Sequence, residues 1–284
     1  MKKMLFFCLL LFCSTLCAQS LHEFSLHSGG GLSALRYNPK LGKQSNGLDR
    51  HFGFGYVFFV APWFGFATGT EIAFYSAEFN MKNFKTQYWA TDFEGEDFEF
   101  RSDVSKYKEK QVATMLQIPL MLQIQTGVQY QYYLMAGAKI AVSLPNSHSS
   151  SSDFINSGYY EEKNYEYITQ QFVGFGTFTD RRAENKANFK STIFASMEAG
   201  IKWKFQDGLS IYTGAYFDYG LTDILKKQNA EQLPQIVEYY DGKENPPHFA
   251  VNSVLHSKDN TSQAFVNKVM PMAAGIKVKL ALGL

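Results

Sequence analysis

The chain has 284 residues, of which 45% are hydrophobic, and a formal net charge of +1 at pH 7. This near-neutral balance gives no support for a nucleic-acid-binding protein, which would carry a clear excess of Lys and Arg. Beyond the N-terminal segment no run of 18 apolar residues occurs, so the sequence excludes a membrane-spanning helix. The 26 Phe and 17 Tyr are instead spread through short alternating stretches, which are typical of β-strands.

The N-terminal segment reads MKKMLFFCLLLFCSTLCAQS, with two lysines, an apolar stretch and then small residues. This order predicts a secretory signal peptide over residues 1–18, cleaved after Ala18, with cleavage after Cys17 as the alternative. All three cysteines lie inside this segment. We therefore expect residues 19–284 to form a single exported domain without disulfides or thiol chemistry.

Eight segments after the signal peptide alternate apolar and polar residues, the pattern of a strand with one apolar face. In LQIPLMLQIQ of the fourth segment, Leu116 and Leu120 fall on one face, while Gln117 and Gln123 fall on the other. A lysine facing lipid in mid-membrane costs about 2–4 kcal/mol, so we expect the charged faces to point inwards. The eight segments cover residues 23–36, 51–61, 63–79, 111–125, 128–143, 189–205, 208–221 and 264–284.

The connections between these segments alternate between short and long. The short ones are Pro62, TG at 126–127 and QDG at 206–208. This layout predicts an all-β protein: an eight-stranded antiparallel up-and-down transmembrane β-barrel with three short periplasmic turns and four long extracellular loops. The alternative is a soluble lipocalin-like barrel, which would place its leucines inside and its lysines outside. The long connections cover residues 37–50, 80–110, 144–188 and 222–263.

Several charged residues fall on the inward face of the predicted strands. An eight-stranded barrel is only wide enough to be filled by side chains, so we expect these charges to pair and largely close the lumen. A narrow channel for small solutes is the alternative. The predicted network consists of Glu71, Lys139, Glu198, Lys202, Asp218, Lys277 and Lys279.

The last segment, GIKVKLALGL at 275–284, places two lysines on one face and large apolar residues on the other. We expect it to pair with the first strand, so that the sheet has no free edge. Its apolar face is predicted to be recognised by the barrel-assembly machinery. Pro119 and Pro271 interrupt two strands, and a local bulge is predicted at each. The apolar face consists of Ile276, Val278, Leu280, Leu282 and Leu284.

Two short stretches, LQIPLMLQ at 116–123 and YGLTDI at 219–224, resemble the PorT-like outer-membrane β-barrel family of Bacteroidota, which has the eight-stranded architecture of OmpA-type barrels. The resemblance covers essentially the whole exported chain. It implies a Gram-negative outer-membrane protein that contacts lipids and lipopolysaccharide. From the layout of the connections we expect both termini in the periplasm. It also implies a role in the cell envelope, with an envelope or secretion protein as the possible partner. The matching stretches contain no catalytic residue.

A lipid-modifying enzyme is a further alternative, because such barrels use a Ser/His pair near the membrane surface. Adjacent residues on a strand point to opposite faces, so the first His–Ser neighbours of this chain cannot form a couple. The other two pairs lie in predicted loops, one of them in NSHSSSSD, which is typical of a flexible polar tip. We therefore expect no enzymatic activity and no cofactor. The three pairs are His27–Ser28, His148–Ser149 and His256–Ser257.

The predicted loops carry acidic and aromatic residues in alternation, as in DFEGEDFEF at 92–100 and YYEEKNYEY at 159–167. We interpret the first stretch as a solvated loop surface, with a hard divalent cation held by its carboxylates as the alternative. The neighbouring aromatic residues would either contact a partner or glycan, or extend the strands above the membrane. These aromatic residues are Tyr88, Trp89, Tyr159 and Tyr160.

Overall fold

A computed structural model describes residues 21–127, 130–205, 208–226, 228–240 and 249–283. The predicted signal peptide and Leu284 lie outside the described residues. Within these ranges no helix is long and apolar enough to cross a membrane. The described chain contains three short 3-10 turns, at Gln171–Val173, Ala230–Gln232 and Val254–His256.

Nearly all the regular structure is β-strand. The strands within the described ranges are β1 (Leu21–Arg36), β2 (Lys43–Ala61), β3 (Phe64–Thr91), β4 (Asp97–Thr126), β5 (Tyr130–Ser143), β6 (Asn146–Tyr160), β7 (Tyr165–Tyr167), β8 (Gly176–Ala187), β9 (Thr192–Lys204), β10 (Leu209–Gly220), β11 (Val237–Tyr239), β12 (Phe249–Val251) and β13 (Met270–Gly283).

Eight of these strands form a closed antiparallel ring in the order β1, β2, β3, β4, β5, β9, β10 and β13. The ring closes because β13 pairs with β1, from Glu23 opposite Gly283 to Arg36 opposite Met270. Each ring strand corresponds to one of the eight predicted segments, so the prediction of eight antiparallel strands is confirmed. Closure pairs both edges of the sheet and leaves no free edge in the ring.

The two predicted faces of the ring strands are confirmed. On β13, Ile276 and Leu280 are exposed at 67% and 50%, while Lys277 and Lys279 are buried. On β4, Leu120 is exposed, whereas Gln117 is buried. The ring therefore presents an apolar outer surface and a polar interior, the reverse of a soluble lipocalin-like barrel.

The predicted bulges at the two prolines are wrong. The pairing of β4 with β5 runs without a shift through Pro119, which lies opposite Lys139. The pairing of β1 with β13 likewise continues through Pro271, opposite Leu35. A proline lacks only its own N–H donor, so a long ladder with many other bonds tolerates the loss of one bond without changing register.

Three of the four long connections, 37–50, 80–110 and 144–188, are mostly β-strand, which corrects the sequence-based boundaries. The described part of 222–263 has strand only at Val237–Tyr239 and Phe249–Val251. β3 and β4 continue beyond the ring as a hairpin, and β6 pairs with this extension of β4 from His148 opposite Gln111 to Tyr159 opposite Glu99. β8 pairs with β6, and β7 extends the same sheet near its far end. We name this additional part of the molecule, residues 77–111, 144–190, 221–226, 228–240 and 249–269, the cap.

The cap has a hydrophobic core of its own. The sheet of β3, β4, β6 and β8 places Phe100, Tyr107 and Phe154 against the segment that carries β11 and β12, where Val254 and Phe265 are buried. This core continues into the adjoining end of the ring and stops at its charged middle. A smaller apolar cluster, including Phe59 and Met121, fills the opposite end. The molecule is therefore filled in three layers, apolar, charged and apolar.

Candidate functional site: the charged interior and the cap

The centre of the charged layer is Glu71 on β3. Its carboxylate accepts hydrogen bonds from Lys139 Nζ of β5 at 2.6 Å and from Lys277 Nζ of β13 at 3.1 Å. His27 Nε2 of β1 lies 3.0 Å from the same carboxylate. Lys139 Nζ also donates to Asp218 of β10 at 2.7 Å. Five strands of the ring are thus linked through the buried ion pair of Glu71 and Lys139.

A third carboxylate, Glu198 of β9, completes the layer. It accepts hydrogen bonds from Lys279 Nζ at 2.6 Å and from the Tyr133 hydroxyl at 2.7 Å, and Lys277 Nζ lies 3.7 Å away. The layer therefore balances Glu71, Asp218 and Glu198 against the ammonium groups of Lys139, Lys277 and Lys279. Such pairing lowers the cost of placing ions away from water.

Lys202, the seventh predicted member, is not part of this layer. Its ammonium pairs with Glu23 of β1, nearer the end of the ring with the short turns, and the Tyr212 hydroxyl donates to the same carboxylate. Glu23 is not among the predicted network residues, although alternation in HEFSLHS places it on the same face as Ser25 and His27. Period-two counting from His27 would have found it.

A third polar group, also missed, lies on the cap side of the charged layer. Asp49 Oδ2 is 3.1 Å from His51 Nδ1 and accepts a hydrogen bond from the Tyr216 hydroxyl. The His51 ring lies directly over Gly29 of β1, where a Cβ atom would come within 2.3 Å of Nε2. The ring therefore fits because glycine occupies that position.

Little space remains among these side chains. The cavity next to the charged layer has a volume of about 40 Å³ and is lined by residues that include Glu71, Met135 and Tyr212. Since one water occupies about 10–15 Å³ on such a measure, this volume holds roughly two to four waters. Beside the charged layer, the described residues thus leave room for only a few waters.

The three His–Ser pairs do not form catalytic couples. His27 contacts Glu71, whereas Ser28 is exposed on the opposite face of β1. His148 is fully buried and Ser149 is exposed, because both lie on β6 and not in a flexible loop as predicted. His256 ends a 3-10 turn, and the neighbouring serine donates its hydroxyl to a backbone carbonyl. These positions give no nucleophile with an adjacent base.

The acidic stretch at 92–100 forms the β3–β4 turn and the start of β4. Oxygens of Asp92, Glu94 and Glu96 lie within 4.8 Å of one another. However, Asp92 accepts hydrogen bonds from the backbone N–H groups of Glu94 and Glu96 and from the Tyr160 hydroxyl. Glu96 also pairs with Lys163. These bonds stabilise the turn without requiring a cation.

The buried carboxylate of Glu109 on β4 anchors the cap segment. It accepts hydrogen bonds from the Ser253 hydroxyl at 2.8 Å, from the Val254 backbone N–H at 2.9 Å and from the Tyr107 hydroxyl. The Tyr107 hydroxyl oxygen also lies 2.9 Å from the Asn252 carbonyl oxygen, so its single proton is shared between the two acceptors. Hydrogen bonds to a charged acceptor contribute about 1.5–3 kcal/mol each, so this carboxylate fixes the segment firmly to the sheet.

Comparison with known proteins gives one family match. Residues 17–226 match a family model described as an outer membrane protein beta-barrel domain. Among solved structures, the attachment invasion locus protein Ail of Yersinia pestis is 8% identical with a TM-score of 0.29, over 93% of this chain and 99% of that one. Neisserial surface protein A is 8% identical with a TM-score of 0.30, over 92% and 98%. No match was found among curated protein sequences.

Proposed function

Since the chain belongs to the family of outer membrane protein beta-barrel domains, we propose that it is a non-enzymatic surface or assembly component that acts through its cap or its periplasmic rim. In this proposal the lumen is closed, and no solute passes through it. The resemblance of LQIPLMLQ and YGLTDI further supports a place among PorT-like proteins, with an envelope or secretion protein as the partner.

One observation carries this proposal: the interior is filled by mutually paired ions, and the cap lies packed over one end. Lys139 is 2% exposed and joins Glu71 to Asp218, so opening the ring would separate buried charges at a cost of several kcal/mol. The cap, in contrast, offers a large folded surface. A protein built in this way is better suited to binding than to transport.

The proposed orientation follows from the lengths of the connections. The short connections at Pro62, Gly127 and Gly208 lie at the same end of the ring as the start of β1 and the end of β13, whereas the cap lies at the other end. In barrels of this class the short turns are periplasmic and the longer connections are extracellular. The cap would therefore face the medium, and lipids and lipopolysaccharide would surround the apolar outer face of the ring.

Site-specific photo-cross-linking in native outer membranes tests the proposal. A photoreactive residue is placed in the cap at Thr177 or Phe172, both exposed, and at the opposite rim at Lys204. We expect a discrete protein adduct from the cap or from the rim, formed at stoichiometric yield. A matched position on the lipid-facing surface, Leu280, should give lipid adducts only. Absence of a protein adduct from both ends would contradict a role in surface binding or assembly.

A further inference from the structure

The far end of the cap carries a face that its own core does not use. The hairpin of β3 and β4 and the hairpin of β6 and β7 lie side by side there, since Glu99 pairs with Trp89 on one side and with Tyr159 on the other, and Tyr159 pairs with Glu166. Paired residues of an antiparallel sheet point to the same face. We name the exposed side of residues 87–101 and 157–168 the tip face; Phe98, Phe100 and Tyr160 within these ranges point into the core.

The tip face is strongly acidic. Residues 87–101 and 157–168 contain eight carboxylates and two cationic side chains. Both cations are already paired, Lys163 with Glu96 and Arg101 with Glu99 and Glu166. The unpaired carboxylates make the surface attractive to a cationic partner and unfavourable for a polyanion. Among the described residues, the carboxylates that lack an ion pair include Glu94, Asp97, Glu161 and Glu162.

Arg101 shows how this surface holds a guanidinium group. Its Nε donates to Glu99 at 2.7 Å, Nη1 donates to Glu166 at 3.4 Å, and the guanidinium carbon lies 4.6 Å from the centre of the Tyr159 ring. Two carboxylates and one aromatic face thus surround one cation. This combination of ion pairing and cation–π contact is the arrangement that favours Arg over Lys.

Trp89 is a second aromatic ring beside carboxylates on this face, but no cation of the described residues stacks on it. It lies directly opposite Glu99 and next to the pair formed by Thr91 and Asp97. Its side chain is 60% exposed, and its ring contacts no cation, ring or hydrogen-bond acceptor among the described residues. Tryptophan is the strongest cation–π acceptor of the aromatic side chains. The exposed Phe93 at the adjacent turn adds apolar surface.

We propose that the tip face binds an arginine-containing basic polypeptide segment, with a guanidinium stacked on Trp89 and paired with Asp97. The aliphatic or aromatic side chains of the segment would cover Phe93. This inference rests on the proposed surface role and names the chemistry of the partner. The two are tested separately: cross-linking detects a partner of any composition, whereas the peptide titration below detects binding of a basic segment only.

The purified protein in detergent micelles is titrated with a synthetic peptide of Arg, Leu and Gly, and with counterparts in which Lys or Glu replaces every Arg. We expect the Arg peptide to bind most tightly and the Glu peptide not to bind. Trp89→Ala should weaken binding of the Arg peptide about two- to thirtyfold, the range of a cation–π contact. Asp97→Asn should weaken binding by a smaller factor and reduce its dependence on salt.

Two matched controls make the test specific. Trp63 at the opposite end is also 60% exposed, so Trp63→Ala should leave peptide binding unchanged. Glu231 is an exposed cap carboxylate away from the tip face, and Glu231→Gln should also have no effect. Each variant is first shown to migrate as the folded form on an unheated gel.

Three results would overturn the inference. One is equal affinity of the Trp89→Ala and Trp63→Ala variants for the Arg peptide. Another is tight binding of a sulfated polysaccharide, with no binding of the Arg peptide. The third is self-association of the protein that Trp89→Ala abolishes, which would make a second copy of the chain the occupant. A cross-linked protein adduct from the cap would still support the surface role in each case.

Discussion

Replacing Lys139 with methionine is expected to lower the free energy of unfolding by about 3–5 kcal/mol. The Lys139 ammonium lies 2.6 Å from Glu71 and 2.7 Å from Asp218, and all three side chains are at most 3% exposed. Methionine keeps much of the volume but leaves two buried carboxylates close together. Urea unfolding in lipid vesicles, followed by tryptophan fluorescence, measures the loss.

The same substitution at Lys85 is the matched control. Lys85 Nζ lies 3.0 Å from Asp103, but the two side chains are 80% and 48% exposed. Exposed pairs contribute about 0–1 kcal/mol, so Lys85→Met should be nearly neutral. Adding Asp218→Asn to Lys139→Met should restore part of the stability, because Glu71 retains Lys277 as a partner. Equal stability of the two methionine variants would contradict a strongly coupled buried network.

Acidification is expected to release the cap while the ring stays folded. His148 of β6 is buried between Gln111 of β4 and Asn185 of β8, with Phe189 against its ring at 5.6 Å between centroids. Burial lowers the pKa of His148 to about 4. Burial, and to a smaller extent the repulsion from His148, also lowers the pKa of His256.

The direction of this pH effect follows from proton binding. Between pH 6.5 and 4 the unfolded cap takes up a proton at His148 that the folded cap does not bind. The contribution of neutral His148 is therefore complete above pH 6.5 and is lost as the pH falls towards 4. The loss approaches roughly 3 kcal/mol. Amide exchange of residues 249–269, corrected for intrinsic rates, measures it.

The variant His148→Gln separates this effect from general acid unfolding. A neutral side chain at position 148 should remove most of the pH dependence between 6.5 and 4, and the remainder should come from His256. Glu109, whose charge favours the protonated form of His256, accepts four hydrogen bonds. Glu109 is present in both the native protein and the His148→Gln variant, so its effect on His256 is the same in both. His22→Gln, at the opposite end of the ring, serves as the control. An unchanged pH profile in His148→Gln would contradict the assignment.

The ring was predictable because one simple pattern determines it. A two-residue period places the leucines of β4 and β13 on one face, and lipid tolerates only that face. The partners inside the ring were less predictable. Lys139 pairs with Glu71 and Asp218, which lie on strands that are not its neighbours in the sheet. Such contacts depend on the stagger of the strands and on side-chain reach, and sequence periodicity contains neither.

The cap was missed because its strand pattern changes phase. On β3 the buried positions switch from odd to even numbers between Met81 and Phe84, where Asn83 adopts a positive φ of 55°. On β4, the partner strand, the buried positions switch from even to odd numbers between Val104 and Tyr107. Because both strands switch at the same level, their pairing stays in register. A single period-two template therefore fails across both breaks.

The serine-rich stretch of β6 illustrates a second reason. NSHSSSSD has the composition of a flexible loop, yet it pairs with β4 on one side and β8 on the other. Ser150 and Ser152 are buried within that sheet. Tertiary pairing here overrides local propensity, which is weak for strands in general.

Conductance of the purified protein in planar lipid bilayers distinguishes the proposed closed lumen from an open channel. We predict no ion current for the native protein, and none for Glu198→Gln, because the packed side chains remain in place. Steady single-channel currents in the native protein, altered in size by Glu198→Gln, would show an open lumen and contradict the account.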